Sequence, residues 1–470
     1  MTAFSSRSRR WSALAVLCLV QFMLVLDDTA VNVALATIRA ELGFGTASLT
    51  WVADAYFLAF GGPLLLFGRA ADVLGRRRLF LTGVLLFAVA SAACGLARAP
   101  WQLVAGRFGQ GIGAAMAAPA ALALISVLFP GERERARAFA AWGAIAVGGG
   151  VSGLVFSGVL TGLASWRWIF LGNVPVALIA LLSLPHLVPE SRAGGVPRLG
   201  VPGTVLGTGA VVSGVYGLLH AAESGWADPV TVLALGLGGA LAVAFAAVER
   251  RSAGPLIPRS FLAARTRAVA VVVSLPFTGG FFAMSFLLML HVQTVLGLDP
   301  LRAGLAFLPY GAGILTGVAT SAHLVARLGT RRALIAAFLA AACGLLLLAA
   351  AVPGAESAVE LLPGMVVAGL GAGAGFPALT VAALAGSGGD DAGIGSAVLT
   401  TAQQLGGAVG LALLVGLAVA RRGTDITDGA AFAFLVTAGA LTLSSAVITA
   451  ALPRARDTLS STQDTRGHVQ

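Results

Sequence analysis

Apolar residues run along this chain in long blocks, from Trp11 almost to Pro453, separated by short polar breaks. One helical bilayer crossing needs about 20 predominantly apolar residues, and the blocks reach that length repeatedly. Their windows predict spans near residues 11–33, 48–67, 79–97, 101–129, 137–162, 167–187, 201–220, 229–248, 268–296, 303–326, 333–351, 360–385, 393–420 and 430–452. An even count of fourteen returns the chain to the side on which it began. The seventh and eighth are a Gly/Ala/Val/Leu-rich pair bracketed by the polar loops 188–200 and 249–267. Without them the remaining spans divide into six and six. The pattern predicts an all-α polytopic membrane protein: a six-helix bundle over 1–187, a linker with two extra transmembrane helices over 188–267, a second six-helix bundle over 268–452 and a cytoplasmic tail over 453–470.

Two of the polar breaks resemble each other. Gly68-Arg69-Ala70-Ala71-Asp72-Val73-Leu74-Gly75-Arg76-Arg77-Arg78 follows the second span. A worn copy, Ala322-His323-Leu324-Val325-Ala326-Arg327-Leu328-Gly329-Thr330-Arg331-Arg332, recurs in the second half. A repeated break of this kind implies two homologous bundles. Bundles that rock against each other around a midplane site are the architecture of secondary transporters.

Composition narrows the function. The chain is 58% hydrophobic and 11% charged, against about 25% charged in soluble domains. No polar loop is long enough for a soluble catalytic or sensor domain. All the basic residues are arginine; without lysine there is no Walker A loop, so an ATP-driven pump and Schiff-base chemistry are both excluded. The net charge of +10 is spread over loops and tails, mostly on one side. By the positive-inside rule that side is cytoplasmic and holds both termini. A nucleic-acid partner would need the charge gathered on one face, and is not expected.

Smaller signals agree. Six tryptophans, Trp11, Trp51, Trp101, Trp142, Trp166 and Trp168, fall near predicted span ends, where amphipathic rings favour the headgroup layer. Cys18, Cys94 and Cys343 lie in apolar segments at no metal-ligand spacing and read as buried thiols. Arg7, Arg9 and Arg10 before an apolar run imitate a secretion signal, but no small-residue cleavage site follows, so a first span is expected. His220, His291 and His323 are scattered, and neither an HExxH motif nor a GxSxG elbow occurs. No enzyme activity, metal or cofactor is expected. Glycines crowd spans five and twelve, where small residues let helices pack closely or slide.

Ionisable groups inside a membrane mark pathways or proton relays by default. Three acids lie within predicted spans: Asp27, Asp28 and Asp54. Burial disfavours the charged form of a carboxyl, so such a group can take a proton from one side and release it to the other. It can also pair with a cation that competes with the proton. Asp27 and Asp28 point about 100° apart on a helix, so they cannot share one role; which of them faces a cavity stays open. Arg107 is the basic residue well inside a span and needs a partner from the first or second span, in a coupling or a purely structural role. Asn32, Tyr56, Gln110, His291 and Gln293 are candidates to line a cavity. In the break after span two, Asp72 can pair with a neighbouring arginine and latch one conformation, with Gly68, Gly75, Arg76 and Arg77 completing a gating loop.

These residues resemble a known family. Leu26-Asp27-Asp28-Thr29-Ala30-Val31-Asn32-Val33-Ala34-Leu35 is similar to the first-span signature of the fourteen-helix drug:proton antiporters of the major facilitator superfamily. Trp51-Val52-Ala53-Asp54-Ala55-Tyr56 resembles their second span, and Gly68 to Arg78 the superfamily's loop between spans two and three. Arg107, Gln110 and Gly111 resemble its fourth-span arginine motif. Ser165-Trp166-Arg167-Trp168-Ile169-Phe170 with Asn173 and Pro175, and Gln293, Gly297, Pro300, Gly304 and Pro309, resemble two further family segments. Two departures stand out: Ala36 replaces a proline of the first-span signature, and Gly153-Leu154-Val155-Phe156-Ser157-Gly158 has Leu154 for proline and Ser157 for glycine in the antiporter motif. The resemblance implies proton-coupled efflux of amphipathic drugs by a monomer in the bacterial plasma membrane. It also implies that Asp27, Asp54 and Arg107 serve proton coupling or cation recognition, and Asp72 gating. The alternative is a dedicated exporter of a single self-made antibiotic or metabolite, neutral ones included.

Overall fold

A computed structural model describes residues 7–45, 48–192, 200–252, 255, 261, 263–385, 389–420 and 426–452. The predicted tail at 453–470 lies outside them. Every regular element among the described residues is helical, as a bilayer requires where no water satisfies backbone groups. In chain order they are α1 (Arg7–Leu42), α2 (Trp51–Gly61), α3 (Leu64–Leu74), α4 (Arg76–Gly95), α5 (Pro100–Leu128), α6 (Glu132–Leu163), α7 (Arg167–Leu171) and α8 (Asn173–Leu187). The pair α9 (Val201–Ser224) and α10 (Pro229–Arg251) follows. The second half comprises α11 (Arg265–Thr294), α12 (Pro300–Ala306), α13 (Leu308–Ala351), α14 (Ala358–Ala383), α15 (Gly389–Ala420) and α16 (Ile426–Ala451).

Within the first half α1 packs on α6 and α5 on both α4 and α2; in the second, α11 packs on α15 and α13 on α14. The halves meet where α2 lies on α15 and α6 on α12, and α9 packs on α10 and reaches α15. Among the described residues eleven helices are long and apolar enough to cross a membrane, or twelve if the bent pair α2–α3 is one span. The hydropathy pattern predicts fourteen. The difference falls on α6, a 32-residue helix, and on the single 55-residue apolar run Pro300–Gly354. At ~1.5 Å per residue that run exceeds twice the ~30 Å hydrocarbon core. It is interrupted at Gly329, whose φ of 77° and ψ of 158° are not helical.

The two halves repeat at the level of backbone contacts. A methyl group at Gly111 would come within 2.6 Å of the Tyr56 carbonyl, and one at Gly369 within 2.4 Å of the Tyr310 carbonyl. Gly113 faces the Gly83 carbonyl and Phe87 N, as Gly371 faces the Ala337 carbonyl and Ala341 N. Gly149 and Gly153 lie on the Phe22 and Leu26 carbonyls, as Gly406 and Gly410 lie on Leu275 and Gly279. At the helix ends, Arg77 donates to the Pro185 carbonyl and Arg331 to that of Thr449. Arg9 grips the His186 carbonyl, and Arg265, three residues out of that register, grips that of Ala450. Extended along each helix, these pairs match Asp27 with Gly280, Asp28 with Phe281, Tyr56 with Tyr310, Ser91 with Leu345, Arg107 with Met365, Gln110 with Ala368, and Asn173 with Thr437.

Three expectations change. The break after span two is nearly absent: helix continues through Asp72 to Leu74 and resumes at Arg76. Gly75 alone turns the chain, at φ 111°. The chain bends earlier, by 45° between Gly61 and Leu64, where Pro63 has no N–H to continue the ladder. Cys343 is exposed on the outside of α13, while Cys18 and Cys94 are buried. Trp166 is not a headgroup anchor; it is fully enclosed, and its indole N–H donates to Glu41 at 2.5 Å.

Candidate functional site

Arg107 and Asp27 meet inside the first half, both with no exposed surface. The Arg107 Nη1 lies 2.5 Å from Asp27 Oδ2. Glycines create the room: Gly106, Gly111 and Gly113 thin α5 so that α4 and α2 close around it. The guanidinium also donates from Nε to the Val52 carbonyl at 2.7 Å and from Nη1 to Gln110 Oε1 at 3.0 Å. Its carbon sits 4.5 Å from the Tyr56 ring centre, a cation–π distance. The other Asp27 oxygen, Oδ1, accepts from Gln110 Nε2 at 3.0 Å and Asn173 Nδ2 at 2.7 Å. Both amides donate again to Ser91 Oγ at 2.9 Å, and Ser91 donates to the Phe170 carbonyl at 3.0 Å.

Every contact to Asp27 is a donor, the pattern of an ionised carboxylate. Its negative charge is balanced by one arginine and spread by two neutral amides, while Arg107 Nη2 is buried without a hydrogen-bond partner. Breaking such a pair by removing one member costs about 3–5 kcal/mol, because a bare charge is left behind. Opening the pair is therefore tolerable only where both groups find new partners.

The remaining candidates fall elsewhere. Asp28 makes no hydrogen bond to the pair and is half-buried, with Oδ1 buried and unpartnered. Asp54 has no exposed surface, and no hydrogen bond of ordinary geometry reaches either carboxyl oxygen; Thr50, one turn earlier, is its polar neighbour. Among the described residues no arginine pairs with it. Tyr56 and Gln110 belong to the closed network and His291 is fully enclosed in α11, so none of the three lines an open surface. Asn32 is buried on α1. Gln293 ties the halves together, donating to the Val33 carbonyl at 2.7 Å.

The gating residues surround one helix start. Arg76 pairs with Asp72 at 2.9 Å across one turn of half-exposed chain. Gly75 has no side chain with which to cap α4. The cap comes from Glu190, whose carboxylate accepts from Arg77 N at 3.1 Å and Arg78 N at 3.0 Å. An anion at a helix N-terminus complements its dipole. Arg77 completes the clamp by donating to the Val188 carbonyl at 3.0 Å. Gly68 sits on the open side of α3, with Pro119 as its nearest neighbour, and Arg69 donates to the Pro255 carbonyl.

Ser91 and Glu190 escape a reading of the sequence. Ser91 is one small hydroxyl in an alanine-rich span, and Glu190 acts across a long chain separation. A hint for Glu190 was available, since it is the acid that directly follows span six.

Two homologous helical bundles with a fully enclosed ion pair in one of them define a polytopic membrane transporter. The chain matches the Major Facilitator Superfamily over residues 17–411 and belongs to that family. It is 42% identical to the puromycin resistance protein pur8 of Streptomyces alboniger, over 92% of this chain and 84% of that one. It is 36% identical to the lincomycin resistance protein of Streptomyces lincolnensis, over 88% and 85%, and 35% identical to the cephamycin export protein CmcT of Amycolatopsis lactamdurans, over 87% and 85%. Among solved structures, the xylose transporter XylE from E. coli in a partially occluded inward-open conformation matches with a TM-score of 0.66 at 15% identity, covering 96% of this chain and 99% of that one. The peptide transporter POT in complex with sulfate matches at 0.68 and 15%, covering 93% and 94%. At such identities these two share the fold alone.

Proposed function

We propose that this protein exports amphipathic antibiotic-type compounds, cationic ones included, in exchange for protons across the bacterial plasma membrane. In this reading it acts as a monomer with both termini cytoplasmic. Splitting the long run at Gly329 and adding α6 brings its spans to fourteen. The observation that carries the reading is the enclosed Asp27–Arg107 pair. A proton arriving at Asp27 removes the counter-charge of Arg107, and the arginine then has to move or be re-partnered. Protonation is thereby linked to a shift of α5 against α1. Asp54 supplies a second carboxyl, with no basic partner among the described residues, where α2 packs on the second half. Such a group can exchange a proton without breaking an ion pair. The relatives' names, a resistance protein and an export protein among them, support outward transport of a drug-like solute.

The test is transport into everted membrane vesicles with an imposed proton gradient, using puromycin, lincomycin and tetraphenylphosphonium. Wild type is expected to take up at least one of them, an uncoupler to abolish uptake, and Asp27→Asn to lose it. Uptake that ignores the uncoupler would sink proton coupling. A second reading, narrow specificity for one antibiotic, is favoured by relatives that are each named for a single compound. Uptake of puromycin or lincomycin alone, with no uptake of the lipophilic cation, would decide for it.

A further inference from the structure

The second half holds a small apolar cavity of about 20 Å³ among Phe277, Gly280, Phe281, Tyr310, Leu345 and Ala368. Its place in the fold is informative. Gly280, Tyr310, Leu345 and Ala368 match Asp27, Tyr56, Ser91 and Gln110 of the buried network. The cavity lies in the apolar counterpart of that network, where Gly280 and Ala368 stand for the carboxylate and the amide, and Thr437 Cγ2 takes the space directly beside Gly280.

Three features distinguish it from a packing fault. Its wall is aromatic: Phe281 lies 5.3 Å from Phe376 and 6.0 Å from Tyr310, and Phe277 lies 4.5 Å from Phe338. The buried Tyr310 hydroxyl is its polar edge, with Ser285 as neighbour; Ser285 in turn donates to the Phe281 carbonyl at 2.9 Å. The aromatic wall also continues out of the cavity. Phe281 touches Phe282 at 5.2 Å, Phe282 meets Phe57 of α2 at 4.3 Å, and Phe57 neighbours Tyr56, whose ring carries Arg107. Phe281 and Phe282 are half-buried, so this end of the wall is the part that reaches the surface.

We propose that this cavity is a substrate subsite, receiving an uncharged aromatic group of the transported compound, with Phe281 as the side chain that turns to admit it. Charge is handled in the first half and the ring in the second. Aromatic pairs prefer offset or edge contacts, and Phe281, Phe277 and Tyr310 present both ring faces and edges to the cavity. The inference rests on the exporter reading for the identity of its ligand, and on geometry for its location.

The test compares wild type with Phe281→Leu, which removes the ring and keeps an apolar side chain. Thermal unfolding of purified protein in detergent is measured with puromycin and tetraphenylphosphonium, which carry aromatic rings, and with lincomycin, which has none. The ring-bearing compounds are expected to raise the wild-type Tm, and that rise is expected to vanish in Phe281→Leu while its ligand-free Tm stays within a few degrees. In vesicles the variant is expected to raise KM for puromycin by up to about tenfold with kcat little changed. Equal Tm rises in both proteins, or no rise with either ring-bearing compound in wild type, would overturn the subsite. A Phe281-dependent Tm rise without any transport would instead retain the subsite and overturn the exporter reading.

Discussion

The two halves of the molecule share a backbone plan and fill it with opposite chemistry. In the first, Asp27, Ser91, Arg107, Gln110 and Asn173 form one connected set in which nearly every buried donor and acceptor is used. In the second, the matching positions are Gly280, Leu345, Met365, Ala368 and Thr437, and the Thr437 hydroxyl turns back to its own helix at Ala433, 2.7 Å away. No half-converted version is present. Buried polar groups are tolerable when the whole set is complete and costly when any member is missing, which fits one half carrying the whole set and the other none of it. The helix starts after the second span of each half show a milder contrast. Gly75 and Gly329 both turn at positive φ, but Asp72 and Arg76 are matched by Ala326 and Thr330, so the ion pair is present in the first half only.

Crossing the chemistries should be most damaging where charge enters the apolar half. Gly280→Asp brings Cβ within 2.3 Å of Thr437 Cγ2 and buries an acid with no arginine near it. A loss above about 4 kcal/mol is expected, read as disappearance of the monodisperse peak from the solubilised protein. The reverse exchange, Arg107→Met, leaves Asp27 uncompensated and should cost about 3–5 kcal/mol, seen as a large drop in Tm together with loss of transport. Arg107→Lys restores the charge without the fork that reaches both Val52 and Asp27; recovery of stability without recovery of transport is expected. If Arg107→Lys transports normally, the geometry assigned to the pair is wrong.

The paired glycines allow a finer comparison. Gly75→Ala puts a side chain at φ 111° and 2.7 Å from a Glu190 oxygen, so it strains the backbone and dislodges the cap of α4. Gly329→Ala meets the backbone penalty, about 1–2 kcal/mol. Thermal unfolding of the two variants should differ by roughly 1 kcal/mol in favour of Gly329→Ala. Smallest of all is Glu190→Gln, which keeps the shape of the cap and removes its charge; about 0.5–1 kcal/mol is expected. An effect of Glu190→Gln as large as that of Gly75→Ala would place the clamp at the centre of gating rather than at its edge.

Much of this was legible in residue order, for a physical reason. A bilayer demands long apolar helices, so the blocks of hydropathy mark the spans. The cost of a charge in hydrocarbon singles out Asp27, Asp54 and Arg107 before any coordinates are known. The repeat from Gly68 to Arg78 announces two related halves. By itself the sequence determined the class of fold, the half that carries ionisable chemistry, and the need of Arg107 for an acidic partner. Only the tertiary structure decided that the partner is Asp27 and not Asp28 or Asp54. Only there do Ser91 and Asn173 join the pair, Glu190 cap a helix more than a hundred residues away, and Gly280 and Ala368 line a small apolar cavity in the half without the network. Hydropathy is a one-dimensional sum over neighbours in sequence. Pairing and vacancy depend on which faces of separate helices meet, and that is settled by the close glycine contacts that bring those faces together.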